Sequence, residues 1–189
     1  PGVNSGIVAE LAIMLMLAGY RNLLQINRQL LEGHFPRTEY FGRSFMIKGK
    51  TVGVLGLGHI GKKVAALVTA FGANVIYYDI LRQPEQEEKY GYRFVDFDTL
   101  LEQSDIFTVH CPLNEETRGM ISFEQFKKMK PSAMLINTAR GPIVDEAAMI
   151  DALTTGKIAT AGLDTYEHEP LPKDHPLLKL DNVVASAHA

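Results

Sequence analysis

The chain has 189 residues, 46% of them hydrophobic and 22% charged, a composition of one soluble globular domain with a substantial core. A formal net charge of −3, with no basic run and no interleaving of aromatic and basic residues, argues against nucleic acid as the main partner. The one cysteine, Cys111, excludes an internal disulfide framework and fits a reducing cytoplasm.

Gly6 to Leu31 reads as one long helix within a segment, 1–33, expected to serve as an interface. Its first part, Ile7 to Ala18, is apolar all round except for Glu10, so it must be buried on more than one side. Core packing accounts for one face, and a second subunit or domain for the other. The run is too short to span a membrane and has no basic flank of the signal-peptide kind. Arg21, Asn22, Gln25, Asn27 and Arg28 return the helix to solvent, and Gly33-His34-Phe35-Pro36 ends it. Phe41 and Phe45 are expected to anchor the loop that follows.

Thr51 to Leu55 is a β-branched, apolar run and reads as a buried strand. Gly56-x-Gly58-x-x-Gly61 closes it, and Val64, Ala65, Leu67, Val68 and Phe71 then fall on one helical stripe. The first glycine permits the tight turn, the second lets a pyrophosphate approach the backbone, and the third lets helix and strand pack closely. The helix N-terminus turns free N–H groups and its positive dipole end toward the phosphates. A second strand, Ala73 to Asp79, ends on Asp79, 18 residues past the last glycine and near where a dinucleotide fold places the carboxylate that holds the ribose hydroxyls. With the glycine loop in place this role is preferred to an ordinary solvated turn residue. A carboxylate there repels a 2′-phosphate, so NAD is expected rather than NADP; Arg82 is the only argument for the phosphate.

Leu81 to Lys89 is polar and reads as loop or exposed helix; Tyr92 to Val95 is a short strand, and Asp96 caps a short helix over 97–101. Further strands are expected at Asp105–His110, Ala133–Asn137, Ile158–Leu163 and Asn182–Ala185, with helices at Phe123–Met129 and Asp145–Leu153 between them. Strands alternating with helices imply a doubly wound α/β fold (a Rossmann fold), about seven parallel strands with helices on both faces. Ligands in such sheets sit beyond the carboxyl ends of the strands. Asp79, Cys111-Pro112, Thr138-Ala139-Arg140, Asp164, Glu169 and His188 all follow predicted strand ends, which makes that rim the candidate site. Cys111 reads as a small buried residue, since no base stands near it in sequence.

Hydride chemistry with NAD needs a proton donor and a group to hold the substrate. His188 is the natural acid/base, Glu169 a partner able to fix its tautomer and favour its charged form, and Arg140 a planar fork for a carboxylate. Each has an ordinary surface reading alone; as a set on one rim they favour catalysis. No metal site is expected.

These residues carry a resemblance. Gly56-Leu57-Gly58-His59-Ile60-Gly61, His110-Cys111-Pro112-Leu113 with Glu116-Thr117-Arg118-Gly119, Met129-Lys130-Pro131, Asn137-Thr138-Ala139-Arg140-Gly141 with Val144-Asp145-Glu146, Ala161-Gly162-Leu163-Asp164, Glu169-Pro170-Leu171-Pro172 and the final Asn182-Val183-Val184 with His188 resemble the D-isomer-specific 2-hydroxyacid dehydrogenases over nearly the whole chain. The resemblance implies that Arg140 binds the substrate carboxylate, His188 is the acid/base and Glu169 its partner. It implies dinucleotide contacts from Gly56, Gly58, His59, Ile60, Gly61, Asp79, Cys111, Pro112, Thr117, Thr138, Ala139, Arg140, Asp164 and His188, with Asp164 near the nicotinamide end. A homodimer through the first helix is implied as well.

The family has proline before its histidine where this chain has Ala187. Its substrate domain is built from both chain ends, so residues 1–189 are expected to be the dinucleotide-binding domain alone, without the substrate domain and inactive in isolation. Two readings of the parent protein stand: an oxidoreductase interconverting 2-keto and D-2-hydroxy acids, or an NAD-responsive, corepressor-like scaffold. A formate dehydrogenase would want glutamine in place of Glu169.

Overall fold

The computed structural model describes residues 4–188. Seven strands form one sheet: β1 (Thr51–Leu55), β2 (Asn74–Tyr78), β3 (Arg93–Phe94), β4 (Ile106–Val109), β5 (Met134–Asn137), β6 (Thr160–Leu163) and β7 (Val183–Ala185). Their order is β3-β2-β1-β4-β5-β6-β7, and every pairing is parallel. The chain runs outward from β1 to one edge, returns beside β1, and continues to the other edge. That reversal opens a crevice between the carboxyl ends of β1 and β4.

The central strands are buried on both faces because helices cover both. One apolar cluster joins α1 (Ser5–Tyr20) and α3 (His59–Ala70) to Val52, Val54, Ile106, Met134 and Ile136. The other joins α5 (Phe97–Gln103), α6 (Phe123–Lys128) and α7 (Glu146–Thr154) to Leu55, Phe107, Leu135 and Leu163. Helix starts follow local chemistry. Asp96 Oδ1 accepts from Thr99 N at 2.8 Å, Asp145 Oδ1 from Ala148 N at 3.0 Å, and Gln125 Oε1 from Ser122 N at 3.1 Å, each satisfying an otherwise free amide.

The N-terminal segment departs from expectation, as two helices rather than one. α1 ends at Tyr20, and α2 (Leu23–Leu31) leaves at a 61° bend. The Tyr20 carbonyl accepts from Phe45 N at 2.9 Å, so the loop takes the acceptor that helix continuation would use, and Asn22 adopts a left-handed φ of 51°, which asparagine tolerates. The Asn22 amide donates to Arg43 O at 2.9 Å and locks the bend. Most of α1's apolar residues are absorbed by α3 and the sheet, leaving Ile7 and Met14 exposed, whereas α2 buries none of its residues. Phe45 anchors the loop edge-on against Tyr20, with ring centroids 5.7 Å apart. Phe41, 75% exposed, does not. Phe71 is also exposed at the end of α3, so the buried stripe is Val64, Ala65 and Val68. Leu81–Lys89 resolves into a loop and α4 (Pro84–Tyr90).

No single helix among the described residues is long and apolar enough to cross a membrane; α1 and α2 reach that length only as a bent pair.

Candidate functional site

The three loop glycines differ in what surrounds them. Gly56 has φ of +91°, and a Cβ there would lie 2.8 Å from Cys111 N, so only glycine lets β1 turn against the end of β4. A Cβ at Gly61 would lie 2.1 Å from Gly56 O, so the first turn of α3 sits directly on the loop. At Gly58 a Cβ would meet nothing within 4 Å. The second glycine therefore faces open space above the start of α3, the cradle a pyrophosphate requires.

Gly58→Ala isolates that function. Gly58 has φ −79° and ψ −156°, extended backbone that alanine adopts freely. The variant should melt with the parent chain but bind NAD about tenfold or more weakly, by calorimetry. Unchanged affinity would remove the cradle from the site.

Beside the cradle is a cavity of about 170 Å³ whose walls include Gly56, Gly58, Asp79, Cys111, Pro112 and Thr117. Six of the expected cofactor residues thus converge from the ends of β1, β2 and β4. Asp79 is fixed by two backbone donors: Leu57 N at 2.7 Å to Oδ2 and Leu81 N at 3.1 Å to Oδ1. Leu57, inside the motif but not among the expected contacts, is what aims the carboxylate. Thr117 Oγ1 donates to Pro112 O at 2.7 Å and closes the β4 loop.

His110 and Cys111 share this wall, and neither is suited to acid/base or nucleophilic work. Burial pushes His110 down to about 3, so its ring is neutral; its Nε2 lies 2.8 Å from Thr108 Oγ1. Burial pushes the Cys111 thiol up to about 11, which keeps it protonated.

A second cavity, about 630 Å³, opens at the ends of β6 and β7 and is lined by Tyr166, Glu169, Ser186 and His188 among others. His188 Nδ1 lies 2.7 Å from Glu169 Oε2, while Tyr166 N donates to Glu169 Oε1 at 3.0 Å. The carboxyl of Glu169 is held below its ordinary range, first by the hydrogen bond from His188, then by the one from Tyr166 N, with Arg140 adding a smaller electrostatic pull. Glu169 thus lies within electrostatic reach of both of its expected partners.

Two residues that sequence reasoning did not single out make this possible. The Tyr166 hydroxyl, buried, donates to Ser186 O at 2.6 Å and ties the end of β7 to the loop carrying Glu169. Gly141 lets the Arg140 loop touch that same segment, since a Cβ there would lie 2.0 Å from Tyr166 C and O. The glycine stood in the quoted motif, but what it touches is distant in sequence. His188 itself has φ of +53°, the left-handed region, a strained backbone for a non-glycine residue.

The other expected contacts lie along the same rim without lining either cavity. His59, exposed, and Ile60, half-buried, form the first turn of α3, and Arg140 is exposed after β5, with Nη1 donating to Ala139 O at 2.6 Å. Asn137 braces that turn, accepting from Ala139 N at 3.1 Å and donating to Arg140 O at 3.0 Å. Asp164 is buried and accepts from Ser186 Oγ at 2.6 Å. The Thr138 and Thr165 hydroxyls are buried without a hydrogen-bond partner among the described residues, leaving donors at the ends of β5 and β6. The open cradle, the anchored Asp79 and these hydroxyls fit a dinucleotide laid across the crevice.

A parallel sheet in this order, with an open glycine-loop cradle at the end of β1 and an anchored carboxylate at the end of β2, defines a nucleotide-binding domain of the doubly wound type. Residues 13–189 match the family model "D-isomer specific 2-hydroxyacid dehydrogenase, NAD binding domain", and the chain belongs to that family. It is 48% identical over 188 residues to D-3-phosphoglycerate dehydrogenase of Archaeoglobus fulgidus, covering 100% of this chain and 35% of that protein. It is 45% identical over 191 residues to glyoxylate reductase of Thermofilum pendens, covering 100% of this chain and 56% of that protein. The NAD-complexed D-isomer specific 2-hydroxyacid dehydrogenase of Lactobacillus delbrueckii ssp. bulgaricus superposes with a TM-score of 0.89 at 38% identity, over 100% of this chain and 60% of that one. The chain therefore spans between about a third and three-fifths of these relatives.

Proposed function

We propose that this chain is the NAD-binding half of a cytoplasmic dehydrogenase that interconverts a 2-keto acid and a D-2-hydroxy acid, acting with a substrate domain that lies outside these residues. The observation that carries this reading is the 2.7 Å contact between His188 Nδ1 and Glu169 Oε2, on the same rim as the glycine loop and within reach of Arg140. Bound NAD supplies the hydride acceptor, or as NADH the donor. Arg140 holds the substrate carboxylate with its planar fork. Glu169 occupies Nδ1 of His188 and leaves Nε2 free to exchange a proton with the substrate oxygen. The relatives named above, two dehydrogenases and a reductase, favour this over a corepressor-like scaffold.

Calorimetric titration with both dinucleotides tests the cofactor assignment. NAD should bind at least about tenfold more tightly than NADP, because Asp79 meets the 2′-phosphate with like charge. Asp79→Ala should narrow that difference; equal affinities in the unaltered chain would sink the reading.

The chain is also proposed to form a homodimer. Leu23, Leu24, Leu30 and Leu31 of α2 stay exposed, as do Ile7 and Met14 of α1, and exposed apolar side chains of this size are costly in water. This moves the expected interface from α1 alone toward α2. Light scattering should show a dimer that Leu31→Glu weakens; a strict monomer at high concentration would refute it.

A further inference from the structure

Arg82 is the one cation in the 79–83 loop, and by sequence position it is the group best placed to receive a 2′-phosphate. The fold has already engaged it. Arg82 Nε donates to Glu87 Oε1 at 2.9 Å and Arg82 Nη2 to Glu87 Oε2 at 2.7 Å, so one bidentate edge of the guanidinium is filled. Its Cζ lies 5.7 Å from the centroid of the Phe94 ring on β3, the edge strand of the sheet. The cavity that holds Asp79 and Ile80 in its wall does not include Arg82.

An ordinary exposed ion pair would be too loose to matter. Here the carboxylate end is anchored. Glu87 is on α4, with its side chain only 18% exposed. Its Oε1 also accepts from the Tyr77 hydroxyl at 2.8 Å, and that hydroxyl accepts from Gln83 N at 2.7 Å. Tyr77 is fully buried in β2. The buried phenol thus fixes the carboxylate, and the carboxylate fixes the arginine. The hydrogen bond from Arg82 holds the Glu87 carboxyl down at about 2, so the clamp stays charged throughout the neutral range.

We propose that Glu87 is a positioning residue for cofactor choice: by clamping Arg82 against Phe94 it withholds the loop's cation from a 2′-phosphate, adding a second discrimination to the repulsion from Asp79. This rests on the NAD reading above and extends it to a residue that does not touch the cofactor.

The test is calorimetry of NAD and NADP on the chain and on Glu87→Gln, Arg82→Ala and the double variant. The neutral amide still accepts from Tyr77 but no longer holds the guanidinium by charge. Glu87→Gln should gain about tenfold in NADP affinity, one charge-assisted hydrogen bond, with NAD affinity within about twofold of the parent. Adding Arg82→Ala should erase the gain, which a merely structural effect of residue 87 would not predict. An unmoved NADP affinity, or a gain that survives Arg82→Ala, overturns the proposal. Failure of the unaltered chain to bind NAD would instead overturn the NAD reading itself.

Should Glu87→Gln not fold, the unaltered chain still decides the matter. The Arg82 Nε–H should give a slowly exchanging proton resonance that saturating NADP leaves in place. Its loss on adding NADP would show that the phosphate takes Arg82 directly, and the clamp would be refuted.

Discussion

Replacing His188 with glutamine in the dehydrogenase proposed above should lower keto-acid reduction by about 10²–10⁴-fold, the usual worth of a positioned acid. NAD affinity of the domain should change little, because the glycine cradle and the anchored Asp79 lie at the other end of the crevice. The pH profile carries the sharper information. The acid side follows from Glu169. Its carboxyl is depressed by His188, so its contribution to orienting the ring is present above the ordinary carboxylate range and is lost only as pH falls through its lowered value. Glu169→Gln has no carboxyl to titrate, so an acid limb identical to the parent's would show that the 2.7 Å contact does not act on the proton transfer.

Gly141→Ala should be the most damaging single-methyl change at the site. Its Cβ would lie 2.0 Å from Tyr166 C and O and 2.5 Å from Glu167 N, all backbone atoms that no side-chain rotation relieves. The Arg140 turn and the loop bearing Glu169 must then separate. Arg140 would leave the neighbourhood of Glu169, and Tyr166 would be displaced from both Glu169 and Ser186. We expect a loss of about 2–4 kcal/mol in stability, the range of severe overpacking, measured by denaturant unfolding. Keto-acid turnover in the proposed dehydrogenase should fall at least about 100-fold, since small misplacements of positioning groups cost that much. NAD binding should survive wherever the variant still folds, because Gly141 lies outside the cavity that contains Asp79. A variant of parental stability and turnover would mean that the two loops do not depend on their close approach.

Much of this could be read from the residues in order. The glycine spacing, the β-branched run before it and the acid after the next strand are local patterns, and each follows from what one segment of backbone must do. Alternation of strands and helices then left few topologies, and the seven parallel strands fall in one of them. The caps at Asp96 and Asp145 are equally local, three-residue events. Reactive residue types at strand ends marked the rim before any coordinate placed them.

What the sequence could not decide were the contacts between segments distant along the chain. The long N-terminal helix breaks because the Tyr20 carbonyl is claimed by Phe45, a donor 25 residues away whose approach no helical period foretells. Cys111 already read as a small buried residue, and the fold adds His110 to it: burial silences both, while a carboxylate from another loop meets His188, since desolvation and pairing depend on what surrounds a side chain rather than on its neighbours in sequence. Arg82 likewise reads as a phosphate ligand in the loop, and only the folded arrangement of Tyr77, Glu87 and Phe94 shows it already held. Backbone period and turn chemistry act over a few residues and so are written locally; charge state, orientation and availability arise where separate elements meet, which only the tertiary structure sets.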